Sequence, residues 1–355
     1  MTQDSLTVRA GTRAIERIRD EGLDLNAVKV LAGASGAAKF LVLTGIDRVL
    51  IELLANRQQP LHLIGTSIGA FRMAAFCHPD PRKALDNLEH EYIEQHYSRK
   101  PTKQEVSLQS NKILDCFIAD QDLSAIINNP SKHLNFLANR CKGLLKSENT
   151  PLQLLGLGLA AAGNYLRRDY LRYFMDRAHF TSRLNETPFD NLDEFPISHH
   201  QLTENNFKQA LLACGSIPIV MAGISSIEGA PGMYRDGGLL DYHLDFSMLP
   251  AGDDGLVLYP HFYDHMIPGW FDKSLKRYAK PINTENVVLV SPSKSFTDTL
   301  PFQKIPDRVD FKTFHDDKAE RVNYWRKTVK QSQALGETFA DWVESGRIRN
   351  KVKAL

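Results

Sequence analysis

The stretch from residue 26 to residue 77 constrains the fold most tightly, because strand and helix signals alternate there with almost no linker between them. Residues 26–31 (NAVKVL) read as a short buried strand rich in Val and Leu, and a small-residue loop, 32–38, follows directly. From about residue 40 to 56, Leu43, Ile46, Leu50, Leu53 and Leu54 recur on one helical face until Pro60 breaks the chain. Residues 61–64 form a second apolar strand and 65–70 a tight turn. A second helix, 70–77, is stopped by Pro79 and Pro81. Strand, helix, strand, turn, helix opens a βαβ unit, and such units build parallel sheets with helices on both faces. With 355 residues, 43% of them hydrophobic, the chain can fill one large α/β domain that carries insertions.

The middle, residues 86–179, has helix-compatible spacing and no convincing strand, so a helical insertion or cap is expected over about 86–180. Strand signals return at 195–198, 255–260 and 286–291, and a helix at 205–214 ends against Gly215 and Pro218. Val322, Trp325, Val329, Leu335, Phe339 and Trp342 give the tail a helical period, so a helical tail is expected over about 316–355. With no internal repeat and no low-complexity linker, residues 1–355 are expected to form one three-layer α/β/α domain around a mostly parallel sheet.

A net charge of +1 provides no field for a polyanion, so nucleic acid is not an expected partner. The four cysteines, Cys77, Cys116, Cys141 and Cys214, form no C-x-x-C pair and no zinc-spaced cluster with histidine. They read as reduced thiols, and neither a metal nor an organic cofactor is expected. Residues 1–22 are polar and lack the apolar stretch of a signal peptide, and no run approaches the ~20 apolar residues of a membrane span. The expectation is a cytoplasmic protein. Its oligomeric state is not legible.

Three local patterns carry chemistry. Gly65-Thr66-Ser67-Ile68-Gly69 is a G-x-S-x-G placed between a strand and a helix. There the flanking Gly65 and Gly69 leave room for a turn so tight that Ser67 is held in a strained conformation with its hydroxyl exposed. The loop 33–39 (GASGAAK) lets backbone N–H groups converge on an anion, which suits the oxyanion of acyl transfer and, taken alone, equally suits a phosphate. Asp236, followed by Gly237 and Gly238, is a carboxylate in a turn that leaves it accessible, a pattern that on its own is more often a surface turn.

Taken in order with Ala213-Cys214-Gly215-Ser216-Ile217-Pro218, these patterns resemble the patatin-like phospholipase family over about residues 28–241. That family pairs a G-x-S-x-G serine with the aspartate of an Asp-Gly-Gly or Asp-Gly-Ala motif. It carries a glycine-rich oxyanion loop upstream. The resemblance implies a Ser67–Asp236 catalytic dyad with Asp236 as proton acceptor, an oxyanion hole at Gly36, Ala37 and Ala38, and no catalytic histidine. It also implies hydrolysis of lipid acyl esters, phospholipid or lysophospholipid first, through an acyl-enzyme. Two alternatives stay open: a catalytically silent lipid- or protein-binding scaffold, and an acyltransferase or short-chain esterase using the same dyad. The chain departs from the family's Gly-Gly-Gly-x-Arg/Lys-Gly loop at Ser35, Ala37 and Phe40, while Lys39 keeps the basic position.

Other residues offer weaker signals. His243, His261, His265 and His315 follow Asp236 in the order of an ordinary Ser-Asp-His triad. His261, Asp264 and His265 have the look of a metal site, but Pro260 and Pro268 make the stretch a loop; His199-His200 reads as a surface pair. Residues 151–163 are apolar and too short to span a bilayer. They lead into 166–180, where Leu166, Tyr170, Tyr173 and Phe174 share a helical face and Arg167, Arg168, Arg172 and Arg177 decorate the rest. Residues 151–180 therefore read either as a helical cap over the site or as a peripheral membrane contact.

Overall fold

A computed structural model describes residues 4–189 and 192–355. Among the described residues eleven strands form one sheet: β1 (Leu6–Ala10), β2 (Val28–Gly33), β3 (Leu61–Thr66), β4 (Lys132–Cys141), β5 (Met175–Thr181), β6 (Ile197–Gln201), β7 (Ile224–Ile227), β8 (Ala230–Arg235), β9 (Leu256–Pro260), β10 (Val287–Pro292) and β11 (Val352–Ala354). Their spatial order is β11-β1-β10-β9-β2-β3-β4-β5-β6, with β8 also on β4 and β7 on β8. Pairing is parallel from β10 through β9, β2 and β3 to β4, and antiparallel where β1 joins β10 and where β5 and β8 join β4. The central strands are buried along nearly their whole length, which is why they read as continuous apolar runs.

The helices that flank this sheet are α1 (Thr12–Glu21), α2 (Thr44–Leu53), α3 (Ile68–Cys77), α4 (Pro81–Glu94), α5 (Lys103–Phe117), α6 (Leu123–Ile127), α7 (Thr150–Leu166), α8 (Phe207–Gly215), α9 (Lys294–Thr297), α10 (Asp310–Thr313), α11 (Lys318–Glu344) and α12 (Ile348–Lys351). α3 packs on β2, β3 and β4 and against α4, and the long α11 packs along α2. None of the described helices is long and apolar enough to cross a membrane.

The expected helical insertion at 86–180 is corrected in two places. Helices do fill its first part, but 132–141 is β4, at the centre of the sheet, and 175–181 is β5. β4 misleads because it is buried on both faces and therefore does not alternate. Four of its five apolar residues, Leu134, Leu137, Ala138 and Cys141, fall at i, i+3, i+4 and i+7, the spacing of a helix face, and only Phe136 breaks it. The amphipathic helix expected at 166–180 is also absent: α7 ends at Leu166, a 3-10 turn spans Arg168–Tyr173, and β5 follows. At the C-terminus the tail is helical only to Lys351, after which β11 pairs with β1 at the sheet edge. His199 and His200 lie half-buried on β6, and His199 Nδ1 is 2.9 Å from Nδ1 of the buried His179.

Candidate active site

Two oppositely directed strands end head to head on one edge of β4. β3 runs parallel to β4 until Thr66 stands opposite Leu137, and β8 arrives antiparallel until Arg235 stands opposite Asn139. The next residues, Ser67 and Asp236, are thereby driven together, and Ser67 Oγ donates to Asp236 Oδ2 at 2.7 Å. The turn after Asp236 lies flat on β4: a Cβ on Gly237 would stand 2.0 Å from the Leu137 carbonyl oxygen. Asn139 Nδ2 holds the same turn by donating to the carbonyls of Asp236 (2.7 Å) and Gly237 (3.1 Å).

Ser67 has φ +51° and ψ −131°, a region that costs an L-residue free energy and persists only where the surroundings enforce it. The glycines around it do so by close approach. A Cβ on Gly69 would meet Gly33 O at 2.1 Å, and one on Gly65 would meet the backbone of Gly69 at 2.5 Å. Ser67 N–H donates to Cys214 Sγ at 3.1 Å, and Asp236 N–H donates to the Ser216 carbonyl at 2.9 Å. The 213–218 segment thus touches both members of the pair. Neither Asn139 nor Cys214 stands out in the sequence as a site residue; Cys214 had one signal, its place two residues before Ser216.

The loop at Gly36, Ala37 and Ala38 is adjacent. Ala37 has φ +50° and lines the same cavity as Ser67 and Ile68. The amides of Gly36, Ala37, Ala38 and Ile68 have no hydrogen-bond acceptor among the described residues. Ser35, one of the departures from the family loop, braces this segment: its Oγ lies 2.9 Å from Thr66 Oγ1, which in turn donates to the Asp241 carbonyl at 2.8 Å. Phe40, another, is buried and meets Tyr92 edge-on at 5.1 Å.

Burial pushes the Asp236 carboxyl above the usual carboxylate range, against the Ser67 hydroxyl, the Gly238 amide, Arg308 and Lys273, which all favour the charged form. Its Oδ1 accepts from Gly238 N–H at 2.7 Å, which leaves Oδ2 to face Ser67. Lys273 is held down to about 8, first by burial and then by Lys39 and Arg308. A more basic carboxylate in contact with a hydroxyl is the arrangement that nucleophile activation by a general base requires.

A cavity of about 440 Å³ opens onto Ser67. Phe71, Val106, Ile113, Leu212, Ile217 and Met221 make much of its wall apolar. Arg308, Phe311, Phe314 and Arg321 close it from the C-terminal region, a contribution the sequence did not suggest. No residue of 150–174 lines it, so the cap reading of 151–180 does not hold for this cavity.

Of the four histidines only His315 lines the cavity, and His243, His261 and His265 lie outside it. His243 Nδ1 accepts from Ile267 N–H (2.8 Å) and His261 Nδ1 from Tyr263 N–H (2.9 Å), while His265 and His315 lie beside Asp264 and Asp316. None bonds Ser67 or Asp236 among the described residues. Burial lowers His243 well below the ordinary histidine value and His261 to about 3, so both are neutral. Alanine at His243, His261, His265 or His315 should therefore leave turnover of a soluble ester within about tenfold of wild type, against about four to six orders of magnitude for a triad histidine. A folded variant as inactive as Ser67→Ala would show that a histidine is the base. No group of three or more metal-ligating side chains is found among the described residues, at His261, Asp264 and His265 or elsewhere.

Residues 32–243, more than half of the chain, match a family model described as patatin-like phospholipase. No curated protein matches the chain. Among solved structures, VipD from Legionella pneumophila aligns with 12% identity and a TM-score of 0.31, over 66% of this chain and 50% of its own. The human GIVD cytosolic phospholipase A2 aligns with 12% identity and a TM-score of 0.37, over 96% of this chain and 62% of its own. The chain therefore spans less than two thirds of either neighbour.

Proposed function

The chain belongs to the patatin-like phospholipase family, a membership that supports lipid acyl hydrolase activity in general, and from it we propose that this protein cleaves acyl esters of phospholipids or lysophospholipids through Ser67 and Asp236. The observation that carries the reading is the 2.7 Å contact between the Ser67 hydroxyl and a buried carboxylate oxygen. In the first half-reaction Asp236 takes the Ser67 proton as Oγ attacks the ester carbonyl carbon. The carbonyl oxygen becomes an oxyanion held by the amides of Gly36, Ala37 and Ala38, with that of Ile68. Collapse breaks the ester C–O bond, the leaving alcohol takes the proton from Asp236, and the acyl group stays on Ser67. Water then gives its proton to Asp236 and attacks the acyl-enzyme; the fatty acid leaves and Ser67 recovers its proton. The apolar cavity wall takes the acyl chain, and no metal or organic cofactor takes part.

The substrate is met at a membrane surface, with the protein bound peripherally. Four free cysteines suit a reducing, cytoplasmic setting.

A fluorophosphonate probe tests the reading. It should label Ser67 alone, with a chelator present, and label nothing in Ser67→Ala. Because Asp236 must be unprotonated to act, the labelling rate should fall as pH drops through its raised pKa. Absence of labelling would leave the silent scaffold in place of the enzyme.

A further inference from the structure

Helix α7 is built inside out. Its buried positions are Gln153, Gly156, Ala160 and Asn164, small or polar residues at i, i+3, i+7 and i+11. Its outward positions are leucines: Leu152, Leu154, Leu155 and Leu159 are 45–54% exposed and Leu166 is 71% exposed. No Lys, Arg, Asp or Glu occurs from Thr150 to Leu166. An ordinary surface helix turns its apolar stripe to the core and its charges to water, and α7 does the opposite. The inversion is anchored from within. Gln153 Nε2 donates to the Ser147 carbonyl (2.9 Å) and Asn164 Nδ2 donates to Asp272 Oδ1 (2.8 Å). At Gly156 an added Cβ would stand 3.0 Å from Leu144 Cβ, so the small face sits tight against the turn before the helix. Rotating the leucines inward would break both hydrogen bonds.

Charge surrounds the apolar face at its two ends. Lys142 and Lys146 precede the helix, and Arg167, Arg168 and Arg172 follow it; Lys142 pairs with Asp176, Arg167 with Asp169 and Arg168 with Asp272, while Lys146 and Arg172 have no ion pair among the described residues. Tyr173, 70% exposed, stands among the second group. An uncharged leucine face bounded by basic residues matches the interfacial layering of a bilayer whose headgroups are anionic, acyl chains under the helix and phosphates at its ends. The helix adjoins the cavity wall through its buried side. Ile219 N–H donates to Gln153 Oε1 at 2.7 Å, and its neighbours Ile217, Val220 and Met221 line the cavity that opens onto Ser67. Ile219 itself sits at φ +69°, a costly conformation for a β-branched residue that the Gln153 bond helps to hold. Ser107 Oγ, on α5, accepts from Ala222 N–H at 3.2 Å, and the next residue, Leu108, is 70% exposed beside it.

We propose that α7 is the docking surface by which this protein seats on a bilayer carrying anionic lipid, with its leucine face in the acyl layer and the Ile217–Met221 cavity wall brought to the membrane. The proposal rests on the lipid-hydrolase reading for its purpose. Its test is binding, so the two fail separately. Ser67→Ala protein, which leaves the vesicles intact, is sedimented with vesicles of phosphatidylcholine alone and of phosphatidylcholine mixed with phosphatidylglycerol. It should partition to both and more strongly to the mixture. Adding Leu154→Glu, Leu155→Glu and Leu159→Glu should lower partitioning by about tenfold or more with the unfolding midpoint unchanged, since these side chains touch solvent rather than core. Lys146→Gln with Arg172→Gln should abolish the preference for the anionic mixture and keep the weaker binding to phosphatidylcholine. Equal partitioning of the triple-Glu protein and its parent would overturn the proposal. So would failure of the parent to bind either vesicle, or a dimer in solution that the three glutamates dissociate, because the face would then belong to a second copy. Vesicle binding by a protein that hydrolyses no ester would leave the docking surface standing and remove the catalytic reading.

Discussion

On the proposed mechanism, in which Ser67 and Asp236 act as one unit, replacing Ser67 by Ala or Asp236 by Asn should each lower ester hydrolysis by about 10⁴- to 10⁶-fold. Ser67→Ala removes the attacking atom. Asp236→Asn keeps an oxygen to accept from Gly238 N–H but takes away the carboxylate that accepts the Ser67 hydroxyl hydrogen bond at 2.7 Å and is the proposed base. The double variant should be no slower than the worse single, and losses that multiply would show that the two residues do not work together. Stability should move the other way for Asp236→Asn. The folded-state pKa of Asp236 is raised by burial. Its carboxyl therefore favours folding below the unfolded pKa, and that contribution is lost as pH rises through the folded value, leaving a desolvated charge at neutral pH. The Asn variant should unfold at a higher denaturant midpoint than wild type at pH 7, with the two converging as pH falls. A lower midpoint would show that the carboxylate is structural.

The second large effect lies behind the site. Asp241, five residues beyond Asp236, is 1% exposed and grips the fully buried Arg177 with two hydrogen bonds, Nε to Oδ2 and Nη2 to Oδ1, both 2.7 Å. Asp193 takes the other side of the guanidinium at 2.9 Å. These ions hold Arg177 charged, raising its pKa against the effect of burial. Asp241→Ala strips away one of two partners and leaves a buried cation half-compensated, at a cost of about 3–5 kcal/mol. The Asp241 carbonyl is also the acceptor of Thr66 Oγ1, next to the nucleophile, so hydrolysis should fall together with stability. Denaturant unfolding measures the first effect. Replacing the whole network together, Arg177→Met with Asp241→Leu and Asp193→Asn, should recover most of the lost stability, since no unpaired charge then remains. If the single variant costs no more than an ordinary surface substitution, the network does not support the turn.

Local chemistry explains which parts were legible. Ser67, Asp236 and the loop at Gly36 to Ala38 announce themselves because a tight turn needs glycine at fixed neighbouring positions, and such requirements are written in consecutive residues. Strands β2, β3, β9 and β10 are visible because burial on both faces demands continuous apolar runs. β4 and β5 escape because their burial is shared with His133, Asn135, Asn139, Asp176, Arg177 and His179, polar side chains that the interior accepts only through partners far away in sequence. Arg177, read as surface decoration on an amphipathic helix, is instead a buried ion held by Asp193 and Asp241.

The sequence alone thus determined the chemical vocabulary of this protein: a strained serine, a carboxylate in a glycine turn, a small-residue loop and a parallel sheet to carry them. Only the tertiary structure decided that serine and carboxylate touch. That contact depends on β4, whose edge accepts β3 up to Leu137 and β8 from Asn139, so that Ser67 and Asp236 meet between them. It also decided which face of α7 points outward. Spacing marks an apolar helix, but which side the core takes depends on hydrogen bonds that join Gln153 to Ile219 and Asn164 to Asp272, segments distant in the chain. Contacts of that range close long loops, and no local pattern records them.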